Sequence, residues 1–549
     1  MKTKQPFDPG AARHGLRQAK EKPAKYVVGI DTGGTYTDGV LMDYRSREVV
    51  ASGKTLTTRE DLARGVISVL KMLRIKDPSR IQLVGISSTL ATNSVAEGKA
   101  RDVGLILIGY DRELISSFGL EEKLSTQYFE FFTGGHTSHG EEQAPPDIEG
   151  ITAWVEENKD KVDAFAISSY FSPLNPSHEE AAYKAVRQVC DHPVVLGHQL
   201  STQLDSVKRA ATAGLNASLV AVMHEFIGAV KSSLKDQNIK APLMIVKGDG
   251  SLMPYTEAVE KPVETVMSGP AASAIGGLFF SGRHNALMVD VGGTTTDMAF
   301  IEEGQVTVSE SGARVGDIET AVRAARIRTA CVGCDSRISF NRRGHVQVGP
   351  DRVVPLCRLA AGHSRVHDSI MGLNLKDKNF LKPSDFEFWL LYGQIDPEEA
   401  GIEDPRHVKL INILNQGPAS VSEILEKTGN HHVVQLNAEP LFRRGLIEQA
   451  TLTPTDLLHI NGQMDSWDAD AARMAAKCAC TVYGRESKTF VEQTLDQIVA
   501  MMVEEAVVFL AGQTGTSELP DTVDGTWGRW LLDESIKGKN PHLAVNISS

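Results

Sequence analysis

The sequence predicts an α/β protein made of two related units, with a helical module inserted into the second. Three observations lead to this fold class. Short apolar runs alternate with amphipathic helical patterns, an eight-residue motif occurs twice, and one internal stretch loses the strand-like runs. Alternating strands and helices are typical of α/β layers. At 549 residues the chain is long enough for three or four domains, or for two large domains with insertions.

The first α/β region begins near Tyr26, and a second unit opens near Met267. In the first region, strand-like apolar runs cover 26–30, 81–87, 104–108 and 164–169. Its helical patterns, with apolar residues three and four positions apart, cover 61–73, 178–189 and 217–234. These patterns divide the chain into five segments. They are a disordered tail (1–25), a first domain (26–200), the first part of a second domain (201–365), a helical insertion (366–450) and the C-terminal part of the second domain (451–549).

The strongest signal is an internal repeat. Residues 31–38 read Asp-Thr-Gly-Gly-Thr-Tyr-Thr-Asp and residues 290–297 read Asp-Val-Gly-Gly-Thr-Thr-Thr-Asp, so six of the eight positions are identical. An apolar strand precedes each copy, and another follows it. Duplicated supersecondary units are the natural interpretation of such a repeat.

Each copy carries the residue types of a phosphate-binding hairpin. The strand brings an aspartate to its end, and two glycines permit a tight turn whose backbone N–H groups can approach a phosphate. Threonine hydroxyls add donors, and the carboxylates can hold Mg²⁺ near a transferred phosphoryl group. Two such hairpins facing each other would clamp a polyphosphate. The alternative, two ordinary glycine-turn hairpins with solvated aspartates, is disfavoured because the motif is duplicated.

Between about 383 and 450 the strand-like runs vanish. Helical patterns at 408–414 and 421–427, separated by Gly417-Pro418, are followed by a third that ends at Arg444. This order predicts a helix-turn-helix or winged-helix module. Five basic and five acidic residues lie between 404 and 450, whereas a DNA-reading module normally has a basic surplus. We therefore favour packing or partner docking over DNA binding.

Composition limits the classes of partner. The formal net charge of −13 argues against a general nucleic-acid or anionic-membrane binder. No run of eighteen apolar residues predicts a membrane span, and the basic, polar N-terminus lacks the apolar core of a secretory signal. Six cysteines are too few for a disulfide framework in a chain of this length, which suits a reducing compartment. We expect a cytoplasmic protein.

The ordered motifs resemble those of the hydantoinase/oxoprolinase family, a branch of the actin/Hsp70/sugar-kinase ATPase fold. The matching segments are 29–38, 87–98, 164–179, 268–271, 289–297 and 453–462. The resemblance implies two ribonuclease-H-like domains around a nucleotide cleft, with ATP and Mg²⁺ as cofactors. It implies a cyclic amide or imide substrate, such as a hydantoin, 5-oxoproline or a lactam. It also implies a possible separate beta-type subunit and an oligomer, and some relatives are subunits of ATP-dependent ketone carboxylases.

The resemblance further assigns roles to residues. Asp31 and Asp290 would organise Mg²⁺, while Asp38 and Asp297 would orient water or the metal shell. The residues that would cradle phosphates are Gly33, Gly34, Thr35, Thr37, Gly292, Gly293, Thr294, Thr295, Gly333 and Ser336. Phosphorylation of an amide oxygen creates a leaving group that water can displace, so the expected activity is ATP-dependent hydrolysis of a cyclic C–N bond. A regulatory ATPase that docks a partner protein and a small-molecule kinase are the alternatives.

Several other clusters have a structural and a functional interpretation. Cys331, Cys334, Cys357, Cys478 and Cys480 could share a metal, although buried structural cysteines are the commoner case. His136 and His139 are spaced for a metal but lie between glycines, which favours a loop. Ser177 is a plausible N-cap before His178. Asp456 either caps a helix or faces the cleft.

Overall fold

The structure, a computed structural model, describes residues 25–34, 36–57, 62–96, 100–117, 120–309, 311–341, 343–375, 381–391 and 393–514. The predicted N-terminal tail, except Lys25, and residues 515–549 lie outside this description. The chain forms two compact units. The first comprises the chain up to Ala272 together with Val308–Ala325, and the second comprises Ser273–Thr307 and the chain from Arg326 onward.

The described residues contain 24 β-strands and 16 α-helices. Up to residue 281 they are β1 (Tyr26–Thr32), β2 (Tyr36–Asp43), β3 (Val49–Leu56), α1 (Leu62–Met72), β4 (Ile81–Ser88), α2 (Leu90–Ala96), β5 (Val103–Ile108), α3 (Arg112–Ser117), β6 (Tyr128–Phe132), α4 (Ile148–Asn158), β7 (Ala164–Ser169), α5 (Ser177–Val189), β8 (Val194–Leu196), α6 (Ser206–Asp236), β9 (Leu243–Val246), β10 (Leu252–Pro254), α7 (Tyr255–Glu260) and α8 (Ser268–Ser281).

After α8 the strands are short and several helices follow one another. These elements are β11 (Ala286–Val291), β12 (Thr296–Glu302), β13 (Gln305–Val306), β14 (Val308–Ser309), β15 (Arg314–Val315), β16 (Ile318–Glu319), β17 (Ala324–Ala325), β18 (Ile327–Ala330), β19 (Ser336–Phe340), β20 (Val346–Arg352), β21 (Val354–Pro355), α9 (Leu356–Gly362), α10 (Ser364–Met371), β22 (Phe388–Leu391), α11 (Pro405–Leu414), β23 (Ala419–Ser420), α12 (Val421–Thr428), α13 (Glu439–Arg443), β24 (Ile447–Thr451), α14 (Pro454–Ile460), α15 (Ala469–Tyr483) and α16 (Ser487–Thr514).

Two sheets organise the first unit. The larger has the order β10-β9-β4-β1-β2-β3, in which β1, β2 and β3 are antiparallel neighbours while β1, β4 and β9 are parallel. The smaller has the order β6-β5-β7-β8 and is parallel throughout. The near-continuous apolar sequences of β5 and β7 suit a sheet that is covered on both faces. The predicted α/β alternation is confirmed here.

Helix α6 joins the cores of these two sheets. Its N-terminal half contributes residues such as Ala210 and Leu215 to the core on the smaller sheet, and its C-terminal half contributes Phe226 and Val230 to the core on the larger one. Both sheets accordingly lie in the first unit, which extends to Ala272. As a division into domains, the five predicted segments stay a prediction.

By length and apolar composition α6 is also the one helix in the described part of the chain that could cross a membrane. Most of that apolar window is buried inside the protein, as expected for the core helix of a folded domain. Its interior is rich in alanine and glycine, which lets neighbouring strands approach the helix closely.

In the second unit, β12 pairs antiparallel with β11, β13 and β18, and β21, β24, β22 and β23 form another sheet. The inserted segment has a core of its own, to which Trp389, Leu410, Ile424 and Leu441 contribute. Its three helices confirm the predicted helical patterns. The predicted absence of strands is wrong, because β22, β23 and β24 lie within it. These strands are only two to five residues long, too short for a periodic signal. The winged-helix assignment stays a prediction.

Candidate functional site

The first copy of the repeat forms the turn between β1 and β2. Asp31 lies opposite Asp38 in the antiparallel register, and Thr32 lies opposite Thr37. The turn is closed by the Gly33 N–H, which donates to the Tyr36 carbonyl oxygen at 2.9 Å. Thr35, one of the predicted phosphate ligands, lies outside the described residues. The predicted hairpin is therefore present, with its two aspartates side by side.

Asp31 is held by a residue from the neighbouring strand. Ser87 lies opposite Asp31 in the parallel β1–β4 pairing, and its hydroxyl donates to Asp31 Oδ1 at 2.5 Å. The first turn of α8 lies close by, since a Cβ added to Gly269 would be 3.8 Å from Asp31 Oδ1. Ser268 fixes this turn by donating from its hydroxyl to the Ser88 carbonyl oxygen at 3.0 Å. Three motifs that are far apart in sequence thus meet at Asp31.

The other predicted residues of this hairpin have different environments. Asp38 forms an ion pair with Lys54, with Nζ and Oδ1 3.4 Å apart and both side chains 45% exposed. The hydroxyl of buried Thr37 contacts that of Thr57 at 3.0 Å, and Thr57 donates to the Gly33 carbonyl oxygen at 2.9 Å. Thr37 therefore faces the protein interior, where it supports the turn.

The second copy forms the turn between β11 and β12. Asp290 lies opposite Asp297, and the Gly292 N–H donates to the Thr295 carbonyl oxygen at 2.8 Å. Asp297 accepts hydrogen bonds from the hydroxyls of Thr329 at 2.6 Å and Thr295 at 3.4 Å. Burial raises the pKa of Asp297 above its ordinary value, and the negative charge of Asp290 adds to that shift, while the two hydroxyls oppose it.

The loop from 331 to 336 packs directly against this second turn. The N–H groups of Cys334 and Asp335 donate to the carbonyl oxygens of Gly292 and Gly293, at 3.0 and 2.7 Å. A Cβ added to Gly333 would lie 2.7 Å from the Gly293 oxygen, so this approach requires glycine. Ser336 accepts a hydrogen bond from the Gly333 N–H at 2.9 Å. The structure therefore brings the predicted residues Gly333 and Ser336 to the turn.

Asp335 is a functional candidate that the motif analysis missed. It is 6% exposed, and Arg352 Nη2 lies 3.5 Å from its carboxylate. Burial raises its pKa to about 7, and the charge of Arg358 only partly opposes that shift. Its position directly after Cys334 in the sequence gives no signal of a role at the turn. Only the hydrogen bond from its N–H to the Gly293 carbonyl oxygen places it there.

Asp456 is a helix cap. It is fully buried at the third position of α14, where it accepts from the N–H and hydroxyl of Thr453 at 2.9 and 2.8 Å. It also accepts from the Cys357 N–H at 2.7 Å, at the start of α9. Because the Asp456 N–H in turn donates to the Thr453 hydroxyl oxygen at 3.4 Å, the two residues form a capping box at the start of α14, and the bond from Cys357 ties the start of α9 to it. The predicted capping role of Asp456 is confirmed.

Two turn amides are available to an anion. Among the described residues, the N–H groups of Gly34 and Gly293 donate to no partner. A Cβ added to Gly34 would meet nothing within 4 Å, so there is open space beside this backbone. A glycine-turn amide without a protein partner, with carboxylates beside it, suits a phosphate with its cation.

The cysteines do not form a metal centre within the described part of the chain. No group of three or more His, Cys, Asp or Glu side chains there is arranged to hold a metal ion. Cys331 is exposed, while Cys478 and Cys480 are buried in α15. Cys357 is buried beside His459, with Sγ and Nδ1 3.8 Å apart, and burial raises the pKa of its thiol.

Two family models match the chain. The hydantoinase/oxoprolinase N-terminal region matches residues 27–190, and the hydantoinase/oxoprolinase model matches residues 209–356. The chain belongs to the hydantoinase/oxoprolinase family. Both repeated hairpins and the 331–336 loop lie within the matched residues. The resemblance predicted from the motifs is confirmed.

The chain is also similar to known proteins in sequence and to a solved structure in fold. The caprolactamase subunit alpha of Pseudomonas jessenii is 28% identical over 356 residues, covering 59% of this chain and 50% of that protein. The acetophenone carboxylase gamma subunit of Aromatoleum aromaticum is 25% identical over 332 residues, 51% of this chain and 43% of that one. The nucleotide-free structure of acetone carboxylase has a TM-score of 0.60 at 15% identity, over 90% of this chain and 64% of that one.

The chain thus spans about half the length of the curated relatives it matches. The structural likeness confirms the mixed α/β fold over most of the chain. The more specific arrangement of two ribonuclease-H-like domains around a cleft stays a prediction.

Proposed function

We propose that this protein is an ATP-dependent enzyme that acts on a cyclic amide or imide through phosphorylation of the carbonyl oxygen. The observation that carries the proposal is the pair of Asp-x-Gly-Gly-Thr-x-Thr-Asp hairpins. Each places two aspartates in register beside a turn amide that has no protein partner among the described residues. The relation to a caprolactamase subunit supports the substrate class, because caprolactam is a cyclic amide.

The residues present fit ATP and Mg²⁺. The free amides of Gly34 and Gly293 would bind phosphate oxygens, and Asp31 and Asp290 would hold the cation, directly or through water. When bound, ATP supplies the phosphoryl group that converts the amide oxygen into a leaving group.

The chain's own side chains keep these carboxylates in place. The Ser87 hydroxyl donates to Oδ1 of Asp31 and so fixes the orientation of this carboxylate. Thr329 and Thr295 hold Asp297, the residue we assign to orienting water or the metal shell. Preorganised groups of this kind stabilise developing charge without reorganising during the reaction.

The relatives also guide the expected assembly. Both curated relatives are named as subunits, and we propose that this chain likewise works with a separate beta-type subunit in an oligomer in the cytoplasm. The inserted module, with its own core, is the segment we assign to packing or docking within that assembly.

Phosphate release tests the proposal. Inorganic phosphate release from Mg·ATP is measured for the purified chain alone and with hydantoin, 5-oxoproline and ε-caprolactam. We expect one of these rings to stimulate release, and we expect Asp31→Ala and Asp290→Ala each to reduce it by about 100-fold or more. The matched controls are Asp236→Ala and Asp465→Ala, which remove exposed carboxylates away from both hairpins and should leave it unchanged.

The same assay separates the alternatives. A phosphorylated product that accumulates in step with ADP would identify a small-molecule kinase. Release that responds to a partner protein and to none of the rings would identify a regulatory ATPase. Full turnover in both hairpin variants would contradict the assignment of the hairpins to ATP.

A further inference from the structure

The smaller sheet of the first unit has a polar edge formed by residues outside the two hairpins. Because β5, β6, β7 and β8 are all parallel, their carboxyl ends lie at one edge. In open α/β sheets, ligands bind beside this edge. Histidines follow two of these strands, His136 after β6 and His198 after β8, and Ser169 and Ser172 lie at and after the end of β7.

The first turn of α5 connects the loops at this edge. The Ser177 hydroxyl contacts His136 Nε2 at 3.3 Å, and His178 Nδ1 accepts from the Gly135 N–H at 3.0 Å. The predicted capping role of Ser177 is wrong, because α5 begins at Ser177 itself. The Asn175 side chain accepts a hydrogen bond from the Ser177 N–H at 3.1 Å. The successive side chains of Ser177, His178 and Glu179 thus lie against the strand ends.

Glu179 and His198 form a hydrogen-bonded dyad. Glu179 is fully buried and accepts from the Ser169 N–H at 2.9 Å, from the His198 N–H at 2.9 Å and from His198 Nδ1 at 2.6 Å. Because a carboxylate only accepts, this contact assigns the proton of a neutral imidazole to Nδ1. Among the described residues Nε2 has no hydrogen-bond partner, and the side chain is 16% exposed. An imidazole oriented by a carboxylate, with its second nitrogen free, has the arrangement of a general base.

Other polar atoms at the same edge are also unsatisfied. The hydroxyls of Ser169 and Ser172 and Nδ1 of His136 are buried without a hydrogen-bond partner. Such atoms are few in folded proteins, because each loses its hydrogen bonds to water on burial. These three buried atoms, together with the partly exposed Nε2 of His198, lie at or after the ends of three strands at one edge of the sheet. Packing alone gives no reason to gather them there.

We propose that this edge binds the cyclic amide or imide, with His198 Nε2 accepting a hydrogen bond from the ring N–H and the Ser169 hydroxyl donating to the carbonyl oxygen. Glu179 is a positioning residue, because it acts through His198. The substrate class rests on the proposed function. A cyclic amide presents a donor and an acceptor side by side, which matches a bare imidazole nitrogen and a hydroxyl without a partner.

Nitrogen-15 NMR of the full chain labelled at histidine tests the site directly. The His198 resonances are identified by their loss in His198→Gln. In the wild-type chain we expect a protonated Nδ1 and a bare Nε2, and a saturable change in the Nε2 shift on addition of hydantoin, 5-oxoproline or ε-caprolactam. Cyclopentanone, a ring ketone without an N–H, should produce no such change. His224→Gln, which replaces an exposed histidine of α6, is the matched control.

Phosphate release is measured in the same samples, so that failure of the substrate site can be distinguished from failure of the proposed function. A shift at Nε2 supports the site, whether or not the ring stimulates phosphate release. Stimulation without any shift overturns the site and leaves the proposed function standing. If none of the three rings shifts Nε2 and none stimulates phosphate release, both the site and the proposed function are overturned.

The positioning role of Glu179 has its own signature. In Glu179→Gln, we expect the bare-Nε2 pattern of His198 and the ring-dependent shift to be lost together. Glu180→Gln changes the neighbouring exposed carboxylate on the same helix and should retain both. A purely structural role is indicated if Glu179→Gln keeps the tautomer and the shift while only its melting temperature falls.

Discussion

Gly333 offers a direct test of how the 331–336 loop shapes the second hairpin. In Gly333→Ala, the added methyl group would lie 2.7 Å from the Gly293 oxygen, 2.7 Å from the Thr294 carbonyl carbon and 2.8 Å from the Gly292 oxygen. All three are backbone atoms, so no side-chain rotation relieves the overlap. Ordinary van der Waals contact begins at 3.4 Å, and the loop or the turn must therefore move by about 0.7 Å.

That movement has a calculable consequence. The bonds from Cys334 N–H to Gly292 oxygen and from Asp335 N–H to Gly293 oxygen are 3.0 and 2.7 Å long. Stretching both by about 0.7 Å takes them outside or to the limit of hydrogen-bond distance, at a cost of about 0.5–1.5 kcal/mol each. We expect the free energy of unfolding of this unit to fall by ~1–3 kcal/mol. Because misplacement by about 1 Å can reduce turnover 100-fold, we expect phosphate release to fall by roughly that factor.

Thermal unfolding and phosphate release from Mg·ATP measure the two effects. The control is Gly276→Ala in α8, where an added Cβ meets nothing within 4 Å. Because alanine is the better helix former, this variant should be as stable as the wild type or more stable by up to about 1 kcal/mol, with unchanged turnover. Wild-type stability and turnover in Gly333→Ala would refute the conclusion that the loop holds the turn in place.

Two further predictions follow from the carboxylates. Ser87→Ala removes the hydroxyl that fixes Asp31, so we expect turnover to fall about 10-fold and the Mg²⁺ concentration for half-maximal phosphate release to rise, while Ser87→Thr keeps most of the activity. Unchanged Mg²⁺ dependence in the alanine variant would contradict this role. Burial raises the pKa of Asp335 to about 7, so the folded state binds a proton that the unfolded state releases near pH 4. Stability should therefore decrease as pH rises from about 4 to about 7, and urea unfolding of Asp335→Asn should show a smaller decrease over that range.

The sequence predicted the parts of the fold that depend on local pattern. Both hairpins, the helices near 61–73 and 178–189 and the helices of the inserted module were predictable, because periodicity or the duplicated motif encodes them directly. The contact between Ser87 and Asp31 was not, because it depends on the register in which β4 joins β1, and register is a property of the assembled sheet. The packing of α6 was not predictable for a similar reason. The apolar periodicity of α6 predicts a helix but does not show that its two halves pack on different sheets.

The repeat also predicted more symmetry than the structure contains. Asp38 and Asp297 occupy the same position in the motif, but Asp38 is partly exposed and paired with the flexible side chain of Lys54. Asp297 is held by two hydroxyls and has a raised pKa. The difference comes from the third strand beside each hairpin, because β3 carries Lys54 opposite Asp38 whereas β18 carries Thr329 opposite Asp297. The motif therefore specifies the turn, and the neighbouring strand determines which carboxylate is fixed. Identical residues in the two copies therefore do not imply identical roles. Of the two aspartates, the more rigidly held Asp297 is the better placed to orient a reacting group.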